Sequence, residues 1–268
     1  MVIYIACRPT SMTDKHLIDS ATWAKLRPLL TLLSSVAFLI EAAREWSIAS
    51  LFQHWSFLES GDVGGLTYHH LFGRYKSIHA RFTNWSRRGV FLAFFNAVRD
   101  AKDLSLLRFV DASFVKCSIA CLTGRGAGPQ EVTGKTKGGF TTKVTAICDT
   151  KQRVYACRID PGNDSDHKIA EEIELPGRYR RYVGDKGFSS SKFRRRIEAS
   201  GHTHWIAQKS NEKAVEPFHK GYYRLRHNIE NVFARMGRWT RLELRRERKA
   251  SHFESFLNLW AISTWVKI

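Results

Sequence analysis

The chain has 268 residues, of which 43% are hydrophobic, so it can fill a sizeable core and is not a disordered tail. It carries 43 Lys and Arg residues against 25 Asp and Glu residues, a formal net charge of +18. Self-repulsion of that size is best explained by an anionic partner, and nucleic acid is the expected one. Most of the excess positive charge lies after residue 100, so we expect the polyanion to bind there.

Cysteine usage and hydropathy exclude several other classes of protein. The five cysteines are odd in number and lack CxxC spacing, so neither a disulfide framework nor a zinc site is predicted. The longest uncharged apolar run, residues 29 to 40, is shorter than the roughly 20 residues that cross a bilayer. The N-terminus has no signal-peptide pattern. The sequence therefore predicts a soluble intracellular protein without a membrane partner.

The first hundred residues are predicted to form a helical region. Residues 12 to 60 have helical patterning, with Asp19 or Ser20 as a candidate N-cap and Pro28 as an interruption.

A basic amphipathic helix is predicted between residues 77 and 90. Ile78, Phe82 and Trp85 recur at helical spacing and form one apolar stripe. The arginines that lie off this stripe are Arg81, Arg87 and Arg88. Such a helix is typical of a helix-turn-helix DNA reader, and equally of a helix with a solvated basic face. We predict a helical DNA-binding region over residues 1–100, with both interpretations of the helix open.

From residue 105 the pattern changes to mixed strands and helices. Three apolar, partly β-branched segments predict strands: LLRFVDASFVKCS, FTTKVTAICDT and RVYACRID. They are followed by a helix, a strand, a basic helix, a strand and a last helix: SDHKIAEEIEL, RYVGD, SSSKFRRRIEAS, THWIAQK and YYRLRHNIENVFARMG. This order predicts an α/β domain in which helices cover a sheet.

The glycine-rich loop before the second strand is not a phosphate-binding P-loop. It contains Gly134-Lys135-Thr136, but five residues rather than four separate Gly128 from this group, and a strand rather than a helix follows. We expect a flexible connection that is basic enough to touch DNA.

Three acids stand out in this basic chain. Asp111 interrupts an apolar strand, Asp185 ends a later strand, and Glu230 lies on the last helix, where Tyr223 and Arg226 share its face. Taken singly, each has a structural explanation: a satisfied strand residue, a turn aspartate, and an ion pair with Arg226. The apolar stripe of the same helix is expected to pack on the sheet: Leu225, Ile229, Val232 and Met236.

Taken together, the three acids indicate a metal site. Converging carboxylates repel each other unless cations lie between them, and their hard oxygens favour Mg²⁺ or Mn²⁺. Two such ions can stabilise the attacking and leaving oxygens of a phosphoryl displacement, while Lys and Arg residues hold the phosphodiester backbone.

Five blocks occur in chain order: FVDAS, TKGGFTTKVTAICD, PGNDSD, VGDKGFSS and YRLRHNIENVFARM. Together they resemble the successive blocks of bacterial insertion-sequence transposases of the DDE type, in particular insertion-sequence family five. The resemblance covers roughly residues 105 to 268. A weaker similarity, RYKSIHARFTNWSRRGVF, extends back to about residue 74, and HLIDSATWAKLRPLL resembles the family's opening helix. The stretch between these two N-terminal segments diverges.

The resemblance implies a ribonuclease-H-like catalytic domain over residues 105–268, with a mixed sheet flanked by helices and a smaller all-α, helix-turn-helix-like region before it. Asp111, Asp185 and Glu230 would be the catalytic triad and the ligands of two Mg²⁺ or Mn²⁺ ions. The family's helix signature is present at Tyr223, Arg226 and Glu230, but its lysine position is Gly237. The expected DNA-binding residues are Tyr223, Arg226, Lys186, Arg81, Arg87, Arg88, Arg235 and Arg238.

The implied function is that of a transposase that binds terminal inverted repeats, cleaves there and joins the 3′ ends to target DNA. Its expected partner is double-stranded DNA, on which it would act as a homo-oligomer in the bacterial cytoplasm, associated with the nucleoid. Two alternatives stay open: a metal-dependent nuclease of the same fold, and a DNA-binding relic with weak or no catalysis.

Overall fold

The computed structural model describes residues 75–100, 103–122, 131–210, 212 and 218–265. The predicted helices between residues 12 and 60, with Asp19, Ser20 and Pro28, lie outside these residues.

From residue 105 onward the described elements mix strands and helices, as the sequence predicts. The helices are α1 (Tyr75–Arg87), α2 (Val90–Asp100), α3 (Ile119–Leu122), α4 (Asp166–Glu172), α5 (Ser191–Ala199), α6 (Lys220–Arg224), α7 (His227–Met236), α8 (Thr240–Glu243) and α9 (Ala250–Ser263), with a 3₁₀ helix at Lys186–Phe188. The strands are β1 (Leu107–Cys117), β2 (Gly134–Thr136), β3 (Gly139–Cys148), β4 (Val154–Pro161), β5 (Arg181–Gly184), β6 (Thr203–Ile206) and β7 (Leu244–Arg245).

Strand β1 is the centre of a mixed sheet. On one side it pairs antiparallel with β3, whose other edge pairs with β2 and then β4. On the other side it pairs parallel with β5 and, further along, with the short β7, while β6 lies parallel to β5. The predicted class, an α/β mixed sheet flanked by helices, is confirmed. The register matters for the site, because Val110 of β1 is opposite Gly184, the last residue of β5.

Helices cover the sheet and share its core. Helix α7 packs on β1 and β3, whereas α9 packs on β4 and contacts both α1 and α2. The largest side chains of this core are almost completely buried: Phe94, Phe95, Phe109, Tyr155, Tyr182, Phe188, Phe193, Phe253 and Trp260. Helices α1 and α2 therefore bury their apolar side chains in the same core as the sheet.

The predicted amphipathic helix around residue 82 is observed as α1. Phe82 lies 5.0 Å from Phe256 of α9 between ring centroids, and Trp85 is buried. A short turn with Gly89 at φ 69 leads into α2, a conformation that glycine adopts without strain.

Two local predictions differ from the structure. The single helix expected over residues 222–237 is two helices, because the chain turns between Arg224 and His227, where the Leu225 N–H donates back to Tyr222 O at 3.1 Å. Part of the expected flexible loop is strand β2, because Gly134 to Thr136 pair with the start of β3 in a hairpin. The Thr136 hydroxyl donates to Gly139 O across that turn at 3.0 Å.

The exclusions made from composition can be checked on the described part of the chain. Its cysteines, Cys117, Cys121, Cys148 and Cys157, are free thiols. None of the described helices combines the length and the apolar character needed to span a membrane.

Candidate active site

Asp111 lies in the middle of the central strand β1. Its Oδ1 accepts a hydrogen bond from the Ala112 backbone N–H at 2.9 Å, and 22% of its side chain is exposed. The preceding residues Phe109 and Val110 are fully buried. A carboxylate in such surroundings is costly without a partner, so the identity of that partner decides what the site can do.

Asp185 is the first residue after β5 and the N-cap of the 3₁₀ helix. Its Oδ1 accepts a hydrogen bond from the Tyr223 hydroxyl at 2.9 Å, and 42% of its side chain is exposed. Because β5 is parallel to β1 and ends opposite Val110, the chain leaves the sheet beside Asp111. Two acids that are 74 positions apart in the sequence thus meet at one place.

Gly184 allows the end of β5 to lie close to β1 beside Asp111 and Asp185. This role of Gly184 was not predicted from the sequence. A Cβ at Gly184 would lie 3.0 Å from Val110 Cγ1 and 3.6 Å from Phe188 Cβ, so a larger residue would press β5 away from β1. The available signal was a glycine directly before an acid at the end of a strand.

Arg226 joins the two aspartates. Its Nη2 donates to Asp111 Oδ2 at 2.7 Å, and its Nη1 lies 3.4 Å from Asp185 Oδ1. The same Nη1 donates to the Tyr223 hydroxyl at 3.3 Å. Tyr223 and Arg226 are three residues apart in helical or near-helical backbone, which places both side chains on one face. We call Asp111, Asp185, Tyr223 and Arg226 the Arg226 cluster.

The two carboxylates of the Arg226 cluster differ in their electrostatics. Burial raises the pKa of Asp111, and this outweighs the Arg226 charge and the Ala112 hydrogen bond, while the nearby Asp185 charge raises the pKa further. Burial also opposes ionisation of Asp185, but the backbone hydrogen bond of Lys186, the Tyr223 hydroxyl and the Arg226 charge outweigh it and lower its pKa. Asp111 is thus the acid that most needs a cation.

The remaining two members of the cluster keep their protons. Burial and the neighbouring Asp185 raise the pKa of Tyr223, so its hydroxyl stays a hydrogen-bond donor. Burial lowers the pKa of Arg226, but the charges of Asp111 and Asp185 outweigh it and raise the pKa overall.

Glu230 lies on α7 and is exposed, four residues after Arg226 and on the same face of the helix. Arg226 forms its ion pairs with the two aspartates, so the ion pair between Arg226 and Glu230 that would have given Glu230 a structural role is not formed. Of the four residues predicted to form the docking stripe, Ile229, Val232 and Met236 are buried, whereas Leu225 lies before α7 and is partly buried against the core.

The donor chemistry of the site fits a hard divalent cation. Asp111 Oδ2 and Asp185 Oδ1 already face one positive group, and carboxylate oxygens are the ligands that Mg²⁺ and Mn²⁺ prefer. Within the described residues, no three His, Cys, Asp or Glu side chains lie close enough together to form a metal site. Two of the three predicted ligands, Asp111 and Asp185, contact the Arg226 guanidinium, and the third, Glu230, lies on the helix that begins directly after Arg226.

The predicted DNA-binding residues fall into two groups. Lys186 is exposed directly after Asp185, and its charge acts on that carboxylate. Arg235 and Arg238 are exposed at the C-terminal end of α7, where Arg235 Nη1 donates to Gln152 Oε1 at 3.5 Å.

The second group lies on α1 and the turn that follows it. Arg87 and Arg88 are exposed and Arg81 is partly exposed, with Arg87 donating to Asn84 Oδ1 at 3.1 Å. The main contacts of α1 are with α2 and α9, whereas the Arg226 cluster is carried by β1, the end of β5 and the junction of α6 and α7.

Comparison with known proteins adds a family. Residues 104–266 match the family described as "Transposase DDE domain", which is more than half of the chain. Among solved structures, the chain is similar to a piggyBac transposase in a synaptic complex with hairpin DNA, with a TM-score of 0.36 and 13% sequence identity. That similarity covers 48% of this chain and 28% of the other, so the chain corresponds to less than a third of that transposase. A search of curated proteins finds no match.

Proposed function

The chain belongs to the family of transposase DDE domains, and from this premise we propose that it binds the terminal inverted repeats of an insertion sequence, cleaves there and transfers the freed 3′ ends to target DNA. The observation that carries the proposal is the meeting of Asp111 and Asp185 around one positive group, at the end of β5 in the matched domain. The finer assignment to insertion-sequence family five rests on the sequence blocks and is part of the proposal.

Asp111, Asp185 and Glu230 would hold two Mg²⁺ or Mn²⁺ ions, which supply positive charge for the attacking and leaving oxygens of an in-line phosphoryl displacement. Asp111 comes from the rigid central strand and Asp185 from the end of its parallel neighbour. Glu230 is carried by a helix that is anchored through Ile229 and Val232. The three carboxylates thus come from separate elements that pack on one another, which limits their relative motion.

The remaining side chains position the acids and the DNA. The Tyr223 hydroxyl holds one oxygen of Asp185 and so fixes the rotation of that carboxylate. Lys186 is exposed beside Asp185, where its ammonium can contact a phosphate near the reacting bond. Arg235 and Arg238, and on α1 Arg81, Arg87 and Arg88, would bind phosphates further along the duplex. No side-chain nucleophile is needed, because water and then the 3′-hydroxyl attack phosphorus.

We further propose that the protein acts as a homo-oligomer on double-stranded DNA in the bacterial cytoplasm, associated with the nucleoid. A net charge of +18 supports binding to a polyanion such as DNA.

The test begins with the DNA on either side of the coding sequence, where the proposal expects short inverted repeats. A labelled duplex that ends in such a repeat is incubated with the full chain and Mg²⁺ or Mn²⁺, and cleavage at the repeat is followed on denaturing gels. A second duplex with pre-cleaved 3′ ends and a target plasmid measures strand transfer. We expect both products from the wild-type protein and neither from Asp111→Asn, Asp185→Asn or Glu230→Gln.

Three results would contradict the proposal, and each identifies a different fault. Cleavage without strand transfer from pre-cleaved ends would make the protein a nuclease. A gel shift with repeat DNA but without cleavage would make it a DNA-binding relic. Cleavage that survives Asp185→Asn would show that the acids are wrongly assigned.

A further inference from the structure

The positive charge of Arg226 lies where the proposed function expects a metal ion. Its guanidinium lies between Asp111 Oδ2 and Asp185 Oδ1, the two inward oxygens that a shared divalent cation would use. The other oxygen of Asp111 accepts the Ala112 N–H and keeps one lone pair. A cation that binds both aspartates through the two oxygens beside Arg226 therefore displaces the guanidinium.

The contacts of Arg226 are strong on one side and incomplete on the other. The side chain is 12% exposed, and its Nη2 bond to Asp111 is short and charge-assisted. Its Nε, in contrast, is buried without a hydrogen-bond partner. The guanidinium is held through its other two nitrogens, which contact Asp111, Asp185 and the Tyr223 hydroxyl.

Arg226 cannot leave by losing its proton, because a guanidinium remains charged at all physiological pH values. For Arg226 to leave, another cation must therefore take the place of the guanidinium beside the two aspartates. The side chain extends from the junction between α6 and α7, whereas α7 is anchored by the buried Ile229 and Val232, so the guanidinium can rotate about its own side-chain torsions while α7 stays docked.

We propose that Arg226 is an internal counter-ion of the aspartate pair, which holds Asp111 and Asp185 together without metal and competes directly with metal binding. This inference rests on the proposed function, since it takes the two aspartates as metal ligands. When metal binds, the displaced guanidinium is free to bind a phosphate of the DNA that lies against the same site. Metal binding and DNA binding then favour each other, as linkage between two sites requires.

The test measures Mn²⁺ binding to the metal-stripped full chain by electron paramagnetic resonance of free Mn²⁺, without DNA. Arg226→Gln removes the competing charge and should bind Mn²⁺ at least about tenfold more tightly than the wild type, because a unit charge within hydrogen-bonding distance of both acids is lost. Arg226→Lys keeps the charge on a side chain that cannot bridge two carboxylates in the same way, so its affinity should lie between the two.

The matched control is Arg224→Gln, which removes one exposed positive charge two residues away. It should change Mn²⁺ affinity by less than about twofold. An equal gain in Arg224→Gln and Arg226→Gln would assign the effect to net charge and overturn the inference. If Arg226→Gln does not fold, a gain in Arg226→Lys alone supports the inference and an unchanged affinity overturns it.

A thermal measurement gives an independent readout. Without metal, Arg226→Gln should melt below the wild type, because its two aspartates face each other without a counter-ion. Saturating Mn²⁺ should raise its melting temperature by more than it raises that of the wild type. Equal shifts in both proteins would contradict competition.

Failure of this inference and failure of the proposed function give different results. If Mn²⁺ binding is lost in Asp111→Asn but is no tighter in Arg226→Gln, the metal site stands and the counter-ion role is wrong. If no variant shows binding that depends on Asp111, the metal-dependent function and the inference fall together.

Discussion

Two ionic clusters lie along the same two neighbouring strands and have opposite compositions. Before β1 and β5, Asp103 lies between two arginines, with Arg108 Nη2 at 2.5 Å from its Oδ1 and Arg180 Nη2 at 3.0 Å from its Oδ2. We call these three residues the Asp103 cluster. At the other end of β5, the Arg226 cluster places one arginine between two aspartates.

The clusters also differ in how completely they are enclosed. Arg108 is fully buried, lies 3.4 Å from the centre of the Tyr155 ring and donates to the backbone oxygens of Ser105 and Leu107. In the Arg226 cluster, Asp185 is 42% exposed, whereas the side chain of Asp103 is 12% exposed. An enclosed cluster with an excess of arginine fixes structure, whereas a partly open cluster with an excess acid can take up a cation. Both clusters contain ion pairs. The structural cluster differs from the cluster that can bind a cation in its ratio of acids to arginines and in its exposure to solvent.

The largest expected effect is on activity at the open cluster. Asp185→Asn keeps an acceptor for Tyr223 but removes a charge, so cleavage and strand transfer should fall by at least about a thousandfold. Circular dichroism and urea unfolding should show a native fold with nearly wild-type stability. A variant with substantial activity would break the comparison, because Asp185 would then be no more functional than Asp103.

The next effect is on stability at the enclosed cluster. Asp103→Asn leaves Arg108 buried without its counter-ion, and the free energy of unfolding should fall by about 3 kcal/mol. Urea unfolding measures this change directly. The fraction that remains folded should cleave DNA at the wild-type rate, since neither Asp103 nor Arg108 contacts the acids. A specific loss of activity in folded protein would count against the division of roles.

An intermediate effect is expected where the sheet supports the open cluster. Gly184→Ala places a methyl group 3.0 Å from Val110 Cγ1, so the free energy of unfolding should fall by about 1–3 kcal/mol. The shift of β5 also displaces Asp185, and activity should fall further than stability explains. Gly138→Ala is the matched control, because its new Cβ would meet nothing nearer than Thr136 Oγ1 at 4.0 Å. Equal behaviour of the two variants would remove Gly184 from the description of the site.

The smallest effect is a dependence on pH next to the enclosed cluster. Burial lowers the pKa of His202, and the charges of Arg180 and Arg108 lower it further, while its Nδ1 accepts the Arg180 backbone N–H at 3.1 Å. The unfolded chain therefore binds the proton more tightly. The stability that His202 contributes is complete above the ordinary pKa of histidine and is lost as the pH falls through the lowered value.

His202→Asn should flatten this dependence, because the asparagine side chain does not titrate. Urea unfolding at pH 7.5 and at lower pH, in wild type and variant, measures the difference. An identical slope in the two proteins would show that His202 is not the titrating group.

Much of the sheet was predictable from the sequence, because its strands are β-branched apolar runs with clear ends. The segments predicted around Asp111 and Asp185 are observed as β1 and β5, in an α/β domain of the expected class. The short β7 was not predicted, since two residues carry no periodicity and the strand exists only by pairing with Lys116 and Cys117.

The sequence predicts the candidate residues of the site better than it predicts the hydrogen bonds and ion pairs between them. Residue type and spacing single out Asp111, Asp185 and Glu230, but their assignment as a metal triad remains a prediction. The turn at Leu225 was missed, because the apolar stripe of the helix continues across it. The partners of Arg226 were also missed, because helical spacing offered Glu230 as a near neighbour, whereas burial of Asp111 in the sheet creates the stronger demand for a counter-ion.

The bond between Arg226 and Asp111 joins residues 115 positions apart. During synthesis the chain grows from its N-terminus, so both aspartates leave the ribosome well before α7 does. Arg226 directly precedes the helix that carries Glu230, and it is synthesised four residues before that acid. A growing polypeptide therefore never contains all three acids without the arginine that pairs with the two aspartates.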